Sequence, residues 1–271
     1  MKIKYRFTFS WEASKGEQLR ALGLTVEEPQ VPEEFSGIGV SHADEGAAGW
    51  AEACSLVKLW RGGIDVSTEF TKEEIVAADY CIIRGAHYSG YPQPESDDGY
   101  RKITYGSACY CPDCGVGLEQ VAPFRMRKSV RFGRNAFLYL YWVHDQIFMP
   151  HGTWEKRLAP LGVGALPVND VKGQPMEGVI QLKVEQHSLL QLDAEGEVCG
   201  TCGRKNFLVH DRGYAPHPVD PPACPIFRSS QHFGAGAQAF NRMVVRSDVA
   251  AEIVASGLKG ARLIPCFPRS V

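Results

Sequence analysis

No stretch of this chain approaches the roughly 18 consecutive apolar residues of a membrane-spanning helix, so no span is expected. The amino terminus also lacks the apolar segment of a secretory leader. Lys2, Lys4, Arg6, Thr8 and Ser10 alternate there with Ile3, Tyr5, Phe7, Phe9 and Trp11, the period of a half-buried strand. A cytoplasmic protein is the expectation. Signatures of common catalytic machinery are missing as well. HExxH, GxSxG, a Walker phosphate loop and a paired dinucleotide fingerprint are absent, and Gly234-Ala-Gly236 is only a short glycine turn. There is no heptad pattern, no low-complexity tract and no repeat beyond the cysteine pairs described next. Excess positive charge is absent too: 29 Lys and Arg against 31 Asp and Glu give a formal net charge of −2. That balance argues against a general nucleic-acid binder.

What the chain does have is cysteine. Nine cysteines without a leader read as metal ligands and buried thiols, not as disulfides. Four fall in two matching turns, Cys111-Pro-Asp-Cys114-Gly115 and Cys199-Gly-Thr-Cys202-Gly203. A CxxC turn presents two thiolates on one side of a tight bend, and two such turns complete the tetrahedral shell that zinc prefers. Pro112 presets the first bend, and Gly115 and Gly203 can take positive φ, letting backbone amides point at sulfur. Cys111, Cys114, Cys199 and Cys202 are therefore the predicted ligands of one structural zinc. Bound by four thiolates, the ion would bring the net charge to about −4, with Arg204 and Lys205 placed to offset it locally. The other reading is reduced thiols, or a redox CxxC, which needs a βαβ context that neither pair has. The gap between the turns is long for a zinc ribbon, yet tolerable, since loop closure costs only about 0.6 kcal/mol per doubling of length. Cys54, Cys81 and Cys266 read as core thiols. Cys109, which alternates with Cys111, and Cys224, in a proline-rich loop, are the alternative ligands.

With 44% hydrophobic residues in 271, the chain can bury one large core or two small ones. The fold class expected is mixed α+β: mixed sheets, short helices, a zinc-ribbon-like knuckle pair and a C-terminal β-α-β unit. One compact domain over 1–271 is expected, with a subdivision into 1–108 and 109–271 as the alternative. After the first strand, residues 12–45 read as a long, irregular, acidic connection. A helix is predicted over 46–60, ended by Gly62-Gly63, and a capping box at Thr71-Lys-Glu-Glu74 opens a shorter one. Residues 80–84 read as a strand and 89–100 as an exposed loop. Strands are expected at 137–143 and 179–184, with a short helix over 153–161 between them. The five prolines of 216–225 suggest an extended tether. Residues 239–246 then read as a strand, Ser247 as the cap of a helix over 248–256 ended by Gly257, and 261–267 as a returning strand.

Three features carry a resemblance. They are the CPDCG turn at 111–115, the run Cys199-Gly-Thr-Cys202-Gly-Arg204, and Ile226-Phe227-Arg228 followed by strand, helix and a Gly-Leu-Lys-Gly turn at 257–260. In this order they resemble the double-CXXCG-motif proteins, a family that includes immunity proteins against contact-delivered swarming-inhibition toxins. The match is best from Val198 onward. In the family the first knuckle often comes earlier, whereas here about a hundred residues precede Cys111. The resemblance implies a cytoplasmic binding protein that occludes a cognate bacterial toxin, with zinc holding a recognition surface rigid. Tyr88, Tyr91 and Tyr100, with Asp97 and Asp98, are the candidate anchors for a basic partner.

Two other functions compete. The basic stretch 124–134 concentrates Arg125, Arg127, Lys128, Arg131 and Arg134 with Phe124 and Phe132, the mixture that a nucleic-acid-binding zinc module uses. The dipeptides His144-Asp145 and His210-Asp211 suggest a metal-dependent hydrolase, although no further histidine is spaced to complete such a site. No catalytic residue is nominated.

Overall fold

Phe7 and Phe9 fall on one face of strand Lys2–Ser10, and burying them organises the amino-terminal part of the chain. The computed structural model describes residues 1–30, 37–96, 99–128, 130–209 and 211–267. Asp97, Asp98 and His210, singled out above, lie outside them. The chain divides into two compact units: Met1–Thr71 with His210–Tyr214, and Lys72–Val209 with Ala215–Val271.

In the first unit Lys2–Ser10 lies between antiparallel strands Ile38–Asp44 and Gly63–Glu69, with Val26–Glu27 on the outer edge. Helix Trp50–Leu59 presents Ala53 and Val57, one turn apart, to the phenylalanines. The Trp50 ring meets Tyr5 at 5.2 Å and the Trp60 ring meets Phe9 at 5.4 Å, giving edge and tilted aromatic contacts. The irregular connection expected over residues 12–45 is wrong in two places. Ala13–Ala21 is a helix that buries only Gly16 and Leu19, so it shows no apolar stripe; a Cβ at Gly16 would lie 2.8 Å from the Trp11 ring. Ile38–Asp44 is a strand whose inward residues, Gly39, Ser41 and Ala43, are all small. They are small because the aromatic rings of the central strand fill the space: a Cβ at Gly39 would come within 2.7 Å of the Phe9 ring.

The second unit is built on Tyr80–Gly85. Cys81, Ile82 and Ile83 are all buried, as befits a central strand covered on both faces. Phe240–Arg246 pairs antiparallel with one of its edges and Ala261–Phe267 with the other. Helix Ser247–Ala255 joins these two strands, which run parallel to one another with Tyr80–Gly85 between them. The closing β-α-β unit is thus completed by a strand from far earlier in the sequence. Val249, Ala250 and Ile253 seat the helix on the core. Among the described residues the sheet has eight strands: Ile226–Phe233, Lys205–Phe207 and Glu197–Val198 extend it on one side, His187–Ser188 pairs with Ile226–Phe233, and Ala215–Pro216 closes the other side. Part of the expected proline tether is therefore an edge strand, a place where a missing N–H is tolerated. A second sheet combines Arg125–Met126, Ala165–Asp170, Pro175–Leu182 and Phe148–Pro150. Residues 137–143 form isolated bridges through Leu138 and Tyr139 instead of the expected strand. The expected exposed loop at 89–100 is only partly exposed, since Pro92, Gln93 and Tyr100 are buried and Gly99–Thr104 is helical. Among the described residues no helix is long and apolar enough to cross a membrane.

Ser247 is the first helical residue and not the cap; the cap position is Arg246, with no side-chain cap bond. Asp248 does the local work. Its carboxylate takes both Arg246 Nε and Nη2, at 2.9 and 2.6 Å, and accepts the Val249 amide at 2.9 Å. The Arg246 hydrogen bonds chiefly hold this carboxyl below its ordinary value. A depressed carboxylate stabilises the fold above its unfolded pKa, and the gain is lost as pH falls through the folded value. Asp248→Asn should lower stability at neutral pH by up to about 1 kcal/mol. The difference from the parent should hold above about pH 5 and close below about pH 3.9, as read from urea midpoints. In the first unit, Gly39→Ala should cost about 1–3 kcal/mol through overpacking. An unchanged unfolding midpoint would contradict the close packing of Phe9 on this glycine.

Candidate metal centre

Both cysteine turns are hairpin tips. Tyr105–Gly106 pairs antiparallel with Glu119–Gln120 below the first, and Glu197–Val198 with Lys205–Phe207 below the second. The tips close alike. The Cys111 amide donates to Val116 O at 2.9 Å and the Gly115 amide to Cys111 O at 2.8 Å. In the second tip the Cys199 amide donates to Arg204 O at 2.9 Å and the Gly203 amide to Cys199 O at 2.9 Å. Closing a turn this way requires the residue after the second cysteine to be left-handed, and Gly115 (φ 75°) and Gly203 (φ 71°) supply it. Gly115 is further constrained, because a Cβ there would lie 2.4 Å from Ala237 O.

The two tips bring their sulfurs together. Cys111 Sγ lies 3.9 Å from Cys199 Sγ, and Cys114 Sγ lies 3.6 Å from Cys202 Sγ. All four sulfurs lie within 4.8 Å of one another. A tetrahedral metal with sulfur ligands at about 2.3 Å has sulfur–sulfur edges of about 3.8 Å, and the two measured contacts bracket that length. The chemistry of the set, four soft donors and no open side, fits a closed structural centre. Cys111 and Cys114 are buried and Cys199 and Cys202 half-buried.

Bonds outside the sulfurs hold the tips in place. Thr201 Oγ1 donates to Asp113 Oδ2, each residue standing just before the second cysteine of its turn. Arg204 Nη2 donates to Cys109 O at 2.6 Å, and Asn206 Nδ2 to Cys114 O at 3.1 Å. Backbone amides of Cys202 and Thr201 pull the Cys199 thiol down to about 7, whereas burial above all pushes Cys114 up to about 12. One thiolate is thus available near neutrality, and another forms readily only when a cation replaces its proton.

The alternative ligands stand apart from this cluster. Cys109 is exposed and contributes its carbonyl to Arg204, and the Cys224 thiol donates to Ile226 O at 3.2 Å. Cys81 and Cys266 are core thiols, and burial pushes both upward; Cys54 is half-buried in the first unit. The basic stretch is divided. Phe124 is fully buried, Phe132 packs against the same core, and Arg127 pairs with Glu95 at 3.0 Å. The Phe124 ring is therefore not placed to stack on a base. Asp145 faces Arg228 at 3.7 Å, and the His144 ring lies 5.5 Å from that of Phe240. Among the described residues no histidine joins the cysteines or forms a ligand cluster of its own.

Acid should release metal from such a centre, because every ligand must give up a proton to bind. Chelator-accessible metal, followed with a chromogenic chelator, should rise steeply as pH is lowered from 8 to 5. Cys114→Ser should release metal even at pH 8. Retention of stoichiometric metal by that variant would remove Cys114 from the ligand set.

No model of a known family, no characterised protein and no solved structure matches this chain, so the centre is read from its own geometry.

Proposed function

We propose that Cys111, Cys114, Cys199 and Cys202 hold a structural zinc ion in a zinc-ribbon-like knuckle pair, and that the protein is an immunity-type binding protein neutralising a cognate bacterial toxin. The zinc reading is supported by the sulfur spacing and by the donor set, since four thiolates suit zinc or iron and a closed shell leaves no position for catalysis. When bound, the ion supplies cross-linking energy, of order 10 kcal/mol in such sites. The protein's own contribution is to aim the four sulfurs and close both turns.

One observation carries the binding reading: a run of aromatic rings at the surface of the second unit. Tyr88 stacks on Tyr141 with centroids 6.1 Å apart, Tyr141 meets Tyr91 at 4.9 Å, and Tyr91 meets Trp142 at 4.6 Å. Tyr88, Tyr141 and Trp142 remain 36%, 43% and 39% exposed. Rings that stack on one another are already ordered, so a partner would bury them at little entropic cost. Clustered tyrosine and tryptophan are the residues that dominate protein interfaces. Tyr88 and Tyr91, expected as anchors, belong to this run; Tyr100 is buried beneath it, stacking on Trp142 at 6.2 Å. The identity of the partner as a toxin comes from the resemblance of the knuckles and the chain that follows them.

Elemental analysis should find one zinc per chain, and one iron would replace the zinc reading. Tyr141→Ala should weaken binding to a toxin encoded beside this gene by about tenfold or more, as loss of an interface anchor does, with metal content unchanged. Equal affinity of parent and variant would remove the aromatic run as the recognition surface.

A further inference from the structure

Beside the knuckles, wholly within the second unit, lies a cavity of about 750 Å³. That is within the size range of sites for small organic ligands. Its most unusual lining residue is Arg228. The side chain is only 15% exposed, yet its guanidinium is poorly partnered. Nη2 donates to Gln146 Oε1 at 2.9 Å. Nη1 stands 3.7 Å from Asp145, an ion pair too long for a hydrogen bond. Nε is buried without a partner. A guanidinium carries five N–H donors, and leaving even one unmet in a buried place is costly.

The neighbouring amides do not relieve it. Gln120 and Gln181 exchange reciprocal hydrogen bonds of 2.9 and 2.7 Å, and Gln181 also donates to Gln146 Oε1 at 2.7 Å. That oxygen is therefore shared already. Charged groups of both signs line the cavity beside it, Arg101 among the cations and Glu119 and Asp145 among the carboxylates. His187 stands opposite Arg228 in the parallel strand pairing, and both line the cavity. Arg204 also lines it, with Nη2 donating to Cys109 O. Glu185, another lining residue, is paired with Lys183 at 3.0 Å. Flat rings complete the lining. Phe240 is one; Trp142 is another, on a left-handed backbone (φ 68°) that a bulky residue keeps only when its surroundings hold it there.

We propose that this cavity binds a small organic anion, a carboxylate or a phosphate ester attached to a flat ring. The anionic group is taken by Arg228, assisted by Arg204, and the ring lies along Trp142 and Phe240. The inference does not depend on the toxin reading.

Calorimetric titration of the metal-replete protein with adenosine 5′-monophosphate and with benzoate, each beside its neutral counterpart adenosine or benzamide, tests it. At least one anion should bind at one per chain, with its neutral counterpart weaker by about tenfold or more, as expected for hydrogen bonds to a charged group. Which anion binds distinguishes phosphate ester from carboxylate. Arg228→Gln should lose about tenfold or more of that affinity while keeping its metal and its melting transition. Should that variant not fold, Arg204→Gln must show a loss in the same direction. Binding of neither anion, equal binding of the neutral compounds, or full affinity in the variants would overturn the proposal.

Discussion

Four sulfur atoms within 4.8 Å of one another are the constraint on which the second unit depends. They belong to turns 88 residues apart, so everything between Cys114 and Cys199 has to leave the centre and come back to it. The chain meets this by folding the excursion into a sheet of its own, Arg125–Met126, Ala165–Asp170, Pro175–Leu182 and Phe148–Pro150, around a core that includes Phe124, Phe148 and Val168. Entropy of closure rises slowly with loop length, and a folded excursion has met most of it by its own packing. The sulfurs then hold together two hairpin tips that already carry matching backbone bonds.

The centre also positions what surrounds it. Arg204, just past the second tip, is drawn to Cys109 O beside the first, and from there it lines the neighbouring cavity. Gly115 and Gly117 leave room for backbone to pass close by: a Cβ at Gly117 would lie 2.0 Å from Cys109 O. The candidate metal centre and the cavity beside it thus share one piece of chain. The aromatic run from Tyr88 to Trp142 sits on a different support, the bridges that tie Tyr88 to Tyr139 and Leu138 to Phe148. Its order comes from the core beneath, where Tyr139 is buried against the central strand of the large sheet.

Strongly periodic elements were legible in the sequence. Residues 2–10 alternate because one face is core, and Ser247–Ala255 shows its apolar stripe because it lies on a sheet. The mixed α+β class and the clustering of Cys111, Cys114, Cys199 and Cys202 could be read the same way, since the CxxCG turn is a local structure with local requirements. Elements whose buried residues are small were not legible. Ile38–Asp44 turns Gly39, Ser41 and Ala43 inward, and Ala13–Ala21 docks through Gly16, so neither carries a hydrophobic signal.

Sequence by itself determined the chemistry of the centre, because four thiols in two tight turns are set by neighbours within a few residues. Tertiary structure decided what no local pattern encodes. It placed Tyr80–Gly85 between two strands from the far end of the chain, buried Phe124 and Tyr100 while leaving Tyr141 and Trp142 outside, and surrounded Arg228 with Gln146, Asp145 and His187. Those outcomes depend on which distant surfaces meet, and burial, unlike turn geometry, is a property of the whole packed unit.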